Sequence, residues 1–119
     1  MRRVFIVNDQ GYNYGYASRW GQLVNLTSGR INKHRLSDLQ VQVEAIFGDC
    51  DPEDYILPSG PSLLTALVCS IFAAKHKRLN LLLYHPTGEN AGKYSLRQFT
   101  FGEKSDDTGS PAAVEDRQQ

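Results

Sequence analysis

Apolar residues along this chain occur in short runs that end at loop-forming residues. The runs at residues 4–7, 55–57 and 79–84 are rich in bulky apolar side chains, which predicts buried strands. Residues 63–74 are apolar on almost every side of a helix, so we expect this helix to pack over a sheet. Parallel sheets are covered in this way, and the centre of the chain therefore predicts an α/β domain.

Weaker patterns add elements between the first strand and the centre. Residues 16–20 predict a short helix and residues 22–27 a modest edge strand. The apolar positions of residues 36–47 share one side of a helix, so this segment is predicted to be an amphipathic helix that covers the sheet. Ser37 or Asp38 is its expected N-cap.

The pattern ends in a last strand and a polar tail. Residues 93–101 predict a strand whose apolar side chains change face between Leu96 and Phe99, which indicates a bulge or a twisted edge strand. Residues 103–119 contain too little apolar surface to offset their ordering entropy, and they are predicted to form a disordered acidic tail. Residues 1–102 then form a single α/β domain.

Strands that alternate with helices imply a mostly parallel sheet with right-handed crossovers. With four or five strands, the compact arrangement is a small three-layer, Rossmann-like or flavodoxin-like sheet with a C-terminal antiparallel edge strand. The strands at residues 4–7 and 55–57 would be neighbours whose chains leave toward opposite faces. In such sheets the ligand crevice forms at this switch point, outside the carboxyl ends of the strands.

Charge is unevenly distributed although the 119-residue chain is formally neutral. Residues 1–102 contain 11 Lys and Arg against 8 Asp and Glu, and residues 103–119 contain 2 against 5. The domain is therefore mildly basic and the tail acidic. A net charge of +3 is too small to indicate a nucleic-acid partner by itself.

No targeting or metal-binding pattern is evident. Residues 4–7 are too short for the apolar region of a signal peptide, and no apolar run reaches the roughly 18 residues that span a bilayer, so we expect a cytoplasmic protein with no membrane partner. Cys50 and Cys69 have no zinc spacing and are expected to be reduced thiols. The acidic residues 49–54 lack the ligand spacing of a calcium loop and predict a solvated turn, so no metal or cofactor is predicted.

Two loops would meet at the expected crevice, one after the first strand and one before the central helix. The first amides of that helix have no partners within the helix, and its positive N-terminal pole suits an anion such as phosphate. Gly60 permits close approach of a ligand, while Ser59 and Ser62 offer hydroxyls or, alternatively, cap the helix. His85 follows a strand end beside the crevice. The predicted ligand-binding residues are Asn8, Asp9, Gln10, Gly11, Tyr12, Tyr14, Ser59, Gly60, Ser62 and His85.

The segment Leu57-Pro58-Ser59-Gly60-Pro61, which runs into an Ala-rich helix, resembles small Rossmann-like sensor domains. These include the nucleotide-sensing domains of phage defence, and the segment is also similar to uncharacterised small α/β proteins encoded by phages. The resemblance extends over residues 1–101 and implies nucleotide sensing or a phage accessory role. Neither GxGxxG nor a Walker Gly-Lys-Ser/Thr motif is present, which argues against the usual modes of dinucleotide and triphosphate binding.

The leading hypothesis is a non-catalytic module that binds a nucleotide or another phosphorylated small molecule. Asp9 follows a strand end and is the candidate for a general base, but Ser59 lacks the GxSxG elbow of a serine hydrolase. The histidines have no ligand spacing. We therefore assign no catalytic residue.

Two further hypotheses use the aromatic residues. In the first, Tyr12, Tyr14, Tyr16 and Trp20 form a patch for a protein partner or a homo-oligomer. In the second, single-stranded nucleic acid stacks on these tyrosines near Arg19, Arg30, Lys33 and Arg35. The neutral overall charge of the chain argues against the second.

Overall fold

The computed structural model describes residues 2–102; the predicted acidic tail at 103–119 lies outside the described residues. The strands are β1 (Arg3–Ile6), β2 (Gln22–Asn25), β3 (Tyr55–Leu57), β4 (Arg78–Tyr84) and β5 (Tyr94–Thr100). The helices are α1 (Leu36–Ile46) and α2 (Ser62–His76), and 3-10 turns cover Gly15–Arg19, Lys33–Arg35 and Phe47–Asp49. Within the described range, neither helix is long and apolar enough to cross a bilayer.

The five strands form one mixed sheet with the order β2-β1-β3-β4-β5. The first four strands are parallel, and β5 pairs antiparallel with β4 at the edge. Phe5 in β1 lies opposite Val24 on one side and Ile56 on the other, so β1 and β3 are neighbours as the sequence predicts. The expectation of a mostly parallel α/β sheet with an antiparallel edge strand is confirmed.

Both α-helices pack on the same face of this sheet, here called the helical face. Its core joins alternate side chains of the strands to the inner sides of α1 and α2. Phe47 packs edge to face on both Phe5 and Phe72, with ring centroids 4.9 Å and 5.7 Å apart, respectively. The buried members of this core are Phe5, Val7, Leu26, Val43, Phe47, Cys50, Ile56, Leu64, Val68, Phe72 and Leu79.

The opposite face of the sheet is covered differently. The 3-10 turn Gly15–Arg19 buries Ala17 against it, and Trp20 packs edge to face on Tyr55, with ring centroids 5.5 Å apart. No α-helix of residues 2–102 lies on this face. The three-layer, Rossmann-like arrangement expected from the sequence is therefore not confirmed.

The last strand shows no bulge. Leu79 lies opposite Phe99 and Leu82 opposite Leu96 in one uninterrupted register. Phe99 packs toward the helical face and Leu96 toward the opposite face, so their apparent change of phase is the ordinary alternation of a strand that is apolar on both sides. Of the two predicted alternatives, the bulge is wrong, whereas the position at the edge of the sheet is confirmed.

The start of α1 also differs from the expectation. The helix begins at Leu36, and its N-cap is Arg35, which makes no side-chain capping hydrogen bond. Ser37 and Asp38 lie inside the first turn. The Asn32 side chain instead caps the preceding 3-10 turn by accepting the His34 amide at 2.9 Å, so the entry into the helix is set one turn earlier than predicted.

The acidic segment before β3 is only partly solvated, because the Asp54 side chain is fully buried. Its Oδ1 accepts the backbone amide of Arg3 at 2.9 Å, and its Oδ2 accepts that of Asp51 at 2.8 Å. The Arg3 guanidinium lies 3.6 Å from the same carboxylate. This carboxylate therefore fastens the turn to the beginning of β1, and the expectation of a wholly solvated turn is corrected.

Replacement of Asp54 by Ala should destabilise the protein by about 2–4 kcal/mol, because two amides and the Arg3 guanidinium lose a buried acceptor. Urea unfolding measures this change. The matched control is Asp49→Ala, since Asp49 pairs with the same arginine at 3.2 Å but is 88% exposed and should matter by less than about 1 kcal/mol. Equal effects of the two substitutions would contradict the structural role of Asp54.

Candidate functional site at the carboxyl edge of the sheet

The chain leaves the neighbouring strands β1 and β3 toward opposite faces of the sheet. After β1 it runs through the 3-10 turn Gly15–Arg19 to β2, and this turn packs on the face opposite the helices. After β3 it enters α2, which packs on the helical face. The expected switch point therefore lies between the carboxyl ends of β1 and β3.

Asn8 and Ser59 hold the two loops of the switch point together. The backbone amide of Asn8 donates to Ser59 Oγ at 3.1 Å, and the Ser59 hydroxyl donates back to the backbone carbonyl of Asn8 at 2.9 Å. Asn8 is 1% exposed. This reciprocal pair of partly buried hydrogen bonds joins the two loops at a fixed distance.

The Asn8 side chain extends this connection to the loop after β2. Its Nδ2 donates to the Gly29 carbonyl at 3.0 Å, and its Oδ1 lies 2.8 Å from the buried hydroxyl of Thr27. One asparagine therefore joins the loops that follow three strands. Its polar atoms, like the Ser59 hydroxyl, are engaged within the protein, so both residues hold the loops together.

Gly60 packs directly against Asn8. A Cβ at this position would lie 2.7 Å from Asn8 Cβ and 2.9 Å from Asn8 Nδ2, and the glycine has a φ of +80°. Both the close contact and the left-handed backbone require glycine. The close approach that the sequence suggested for a ligand is thus made by Asn8, and a ligand has access only to the outer side of Gly60.

The N-terminus of α2 has no side-chain cap. Pro61 occupies the N-cap position, and neither Ser59 nor Ser62 makes a capping hydrogen bond. The first turn contains no acidic residue, while Gly60, Ser62 and Leu63 are exposed. The alternative that a serine caps this helix is wrong, and the positive pole of a 15-residue helix faces solvent beside the crevice.

The loop after β1 is folded by its own polar groups. Asp9 Oδ1 accepts the Gly11 amide at 2.9 Å, and Asp9 Oδ2 accepts Asn25 Nδ2 at 3.3 Å. The backbone amide of Gln10 donates to the Tyr14 hydroxyl at 3.3 Å. The carboxylate considered as a general base from the sequence is thus used to shape the loop.

The remaining predicted site residues lie at different distances from the crevice. Tyr12 is 70% exposed and packs edge to face on the half-buried Tyr14, with ring centroids 6.4 Å apart. His85 Nε2 lies 2.8 Å from Ser95 Oγ, at the base of the loop between β4 and β5. Among the described contacts none joins His85 to Asn8 or Ser59, so the structure brings the two loops together without this histidine.

A family model described as "Phage Pam3 gp32-like protein" matches residues 2–99. The chain belongs to this family. The expectation of a phage-encoded α/β protein is therefore confirmed, whereas the resemblance to nucleotide-sensing Rossmann-like domains stays a prediction. No curated protein and no solved structure matches the chain.

One polar pair of side chains has no signal in the sequence. Cys50 Sγ lies 3.0 Å from His76 Nε2, although the two residues are 26 positions apart. Burial, followed by the nearby Lys75 ammonium, lowers the pKa of His76, and burial raises the pKa of Cys50. Both shifts favour a neutral thiol beside a neutral imidazole, in contrast to the thiolate of a reactive cysteine.

The other cysteine and the acidic residues give no metal site. Burial raises the pKa of Cys69 to about 11, and both cysteines are free thiols. Within residues 2–102, no group of three or more His, Cys, Asp or Glu side chains is placed to hold a metal ion.

The aromatic residues of the chain are divided between the two faces of the sheet. Four of its five phenylalanines pack on the helical face, whereas Tyr14, Tyr55, Tyr94 and its single tryptophan pack on the opposite face. We call the surface formed there by Tyr12, Tyr14, Tyr16, Trp20, Tyr84 and Tyr94 the tyrosine face. It contains the aromatic patch predicted from the sequence and adds two residues from the β4–β5 hairpin; its use for a protein partner or homo-oligomer stays a prediction.

A ring contact and a shared groove connect residues of this surface. The Tyr84 and Tyr94 rings are 5.3 Å apart, and Tyr94 lines one groove together with Tyr16 and Trp20. Burial raises the pKa of Tyr94, and the neighbouring phenols of Tyr84 and Tyr14 raise it further. Since a tyrosine combines an apolar ring with a hydroxyl that prefers water, a face without covering helices is a suitable place for it.

Replacement of Gly60 by Ala should destabilise the protein by about 2–4 kcal/mol, since the new methyl group meets Asn8 and the backbone is left-handed. Thermal or urea unfolding measures the loss. The control is Gly88→Ala, at a φ of +86° but with no atom within 4 Å of the added Cβ, which should cost only the backbone strain of about 1 kcal/mol. If both variants lose the same stability, Gly60 does not pack against Asn8 as described.

Proposed function

We propose that this chain is a Rossmann-like, non-catalytic binding module that takes up a nucleotide or another phosphorylated small molecule. The ligand occupies the crevice between the loop after β1 and the N-terminus of α2. The strand order and the two crossovers to opposite faces support this fold assignment. The 3-10 turn Gly15–Arg19 takes the place that a helix has in larger members of this fold class.

The uncapped N-terminus of α2 is the observation that carries the proposal. Amides in the first turn of a helix need acceptors from outside the helix, and neither a serine nor an acidic side chain supplies one here. Gly60, Ser62 and Leu63 are exposed at this end. An anionic oxygen would satisfy these amides and interact favourably with the helix dipole, which is how helix N-termini bind phosphate.

Binding at this position requires little rearrangement of the protein. The Asn8–Ser59 pair already fixes the helix end against the loop after β1. Preorganisation of this kind lowers the entropic cost of binding. The exposed Tyr12 ring and the Gln10 side chain lie on the loop that forms the opposite wall, where an aromatic base or a sugar would extend from the phosphate.

The engaged carboxylate of Asp9 favours binding without turnover. Both of its oxygens accept hydrogen bonds from the protein, one from Gly11 and one from Asn25. Neither of these two partners is a hydroxyl, thiol or imidazole that a general base could activate. We therefore propose no reaction at this site.

Ser62→Asp tests the site because it should change stability and binding in opposite directions. An acidic residue in the first turn stabilises the free helix by about 0.3–1 kcal/mol, but it repels an anionic ligand. A thermal-shift screen of nucleotides, cyclic dinucleotides and sugar phosphates measures both. At 100 times its dissociation constant, a ligand should stabilise the unmodified protein by about 2.7 kcal/mol, and this stabilisation should be lost in Ser62→Asp.

The control for this experiment is Ser70→Asp, which adds the same charge to an exposed position in the middle of the same helix. It should retain the response to the ligand. A response that survives equally in both variants would place the ligand elsewhere, and no response to any phosphorylated compound would refute the proposed function.

A further inference from the structure

We propose that the tyrosine face binds single-stranded nucleic acid, with bases stacked on its aromatic rings and phosphates at Arg19 and Lys93. This site is separate from the crevice at α2 and does not rest on the function proposed above. Three features support this site: two adjoining grooves, the positive charge of the residues that line them, and the packing of the aromatic rings beside them.

The two grooves share a common wall. One has a volume of about 390 Å³ and the other about 650 Å³, both within the range of about 300–1,000 Å³ that is usual for ligand sites. Trp20 and Arg19 line both of them. The smaller groove is completed by Tyr16, Lys93 and Tyr94, and the larger one by Arg2, Ser18, Gly21 and Gln22.

The charge of these grooves is positive throughout. None of the residues that line them is acidic. Arg2 is engaged by Glu53 at 3.6 Å and by the Tyr55 hydroxyl at 3.0 Å. Arg19 and Lys93 form no ion pair among the described residues, so two cations border the smaller groove without a counter-ion from the domain. A polyanion complements this surface.

The aromatic rings add a surface on which bases can stack. Tyr16 is 65% exposed, and Trp20 is held from behind by its edge-to-face contact with Tyr55. Tyr94 packs on Tyr84 in a tilted arrangement. Aromatic rings beside cations that form no ion pair within residues 2–102 are the features by which proteins bind single strands with little sequence preference.

The extent of the surface indicates a strand rather than one nucleotide. Two grooves lie on either side of the Trp20–Arg19 wall, and exposed rings continue beyond them at Tyr84 and Tyr12. Successive bases therefore have successive places to stack. A double helix offers no exposed base faces to such a surface, so it should bind more weakly.

The structure also changes the set of cations that the sequence suggested. Arg30 and Arg35 line a different groove, next to Thr27 and Asp38, and Arg35 forms an ion pair with Asp38. Lys93 comes instead from the loop between β4 and β5 and joins Arg19. The positive charge that would bind phosphates is therefore concentrated at Arg19 and Lys93. The formal neutrality of the whole chain does not argue against binding at this groove.

Trp20 provides a direct measurement because it is the only tryptophan of the chain. Titration of the full-length protein with a single-stranded oligothymidylate of about 12 nucleotides should quench its fluorescence. Two phosphate contacts predict that the logarithm of the binding constant falls with the logarithm of salt concentration with a slope of about −1.4. A duplex of the same length should bind at least tenfold more weakly.

Three variants decide which residues bind the oligonucleotide. The Arg19→Ala, Lys93→Ala double variant should abolish most of the salt dependence, and Tyr16→Ala should weaken binding about tenfold through the loss of one stacked base. The matched control is Arg30→Ala, which removes an exposed arginine from the other groove and should leave binding unchanged.

Four results would overturn the proposal. The first is a Trp20 signal that the oligonucleotide leaves unchanged, and the second is equal binding by the double variant and by Arg30→Ala. The third is equal quenching by polyglutamate, which has charge but no bases and would indicate an acidic protein partner. The fourth is quenching that depends on protein concentration without added DNA, because it would assign the surface to contact between copies of this chain.

Discussion

The close contact of Asn8 with Ser59 and Gly60 is the constraint on which the carboxyl edge of this domain depends. It requires the positive φ of Gly60, the backbone amide of the buried Asn8, and the Ser59 hydroxyl, which both donates and accepts. Once these are in place, the loops after β1 and β3 cannot separate, and Thr27 and Gly29 bring in the loop after β2. The junction of these loops is therefore a consequence of packing, and the N-terminus of α2 beside it has no side-chain cap.

The two faces of the sheet contain different kinds of aromatic residue. Phenylalanine fills the dry interior beneath α1 and α2, where a hydroxyl would need a partner. Tyrosine and tryptophan occupy the opposite face, which within residues 2–102 carries a 3-10 turn and no α-helix. Tyr12, Tyr16 and Tyr84 are exposed, and two grooves lie beside Trp20. The hydroxyl of the buried Tyr55 accepts a hydrogen bond from the Arg2 guanidinium at 3.0 Å.

The strands, both helices and the neighbouring positions of β1 and β3 were predictable, because each depends on local apolar patterns and on the topology of parallel sheets. The site was predictable only as a meeting of two loops. Contacts between residues distant in sequence were not predictable. Examples are Asn8, which fills the space beside Gly60, and Cys50, which lies beside His76. Local rules also failed where tertiary contacts replaced them, as for Asp54, whose burial follows from its bond to β1.

The central claim is that the exposed amides at the start of α2 bind an anion. Nuclear magnetic resonance of the ¹⁵N-labelled full-length protein during titration with pyrophosphate tests it most directly, since the ligand is small and carries no base for the tyrosine face. If pyrophosphate binds at the start of α2, the largest amide shifts should occur at Gly60, Ser62 and Leu63, with smaller ones in the loop from Gln10 to Tyr12. Shifts confined to Tyr16, Trp20 and their neighbours, or no shifts at the start of α2, would contradict it.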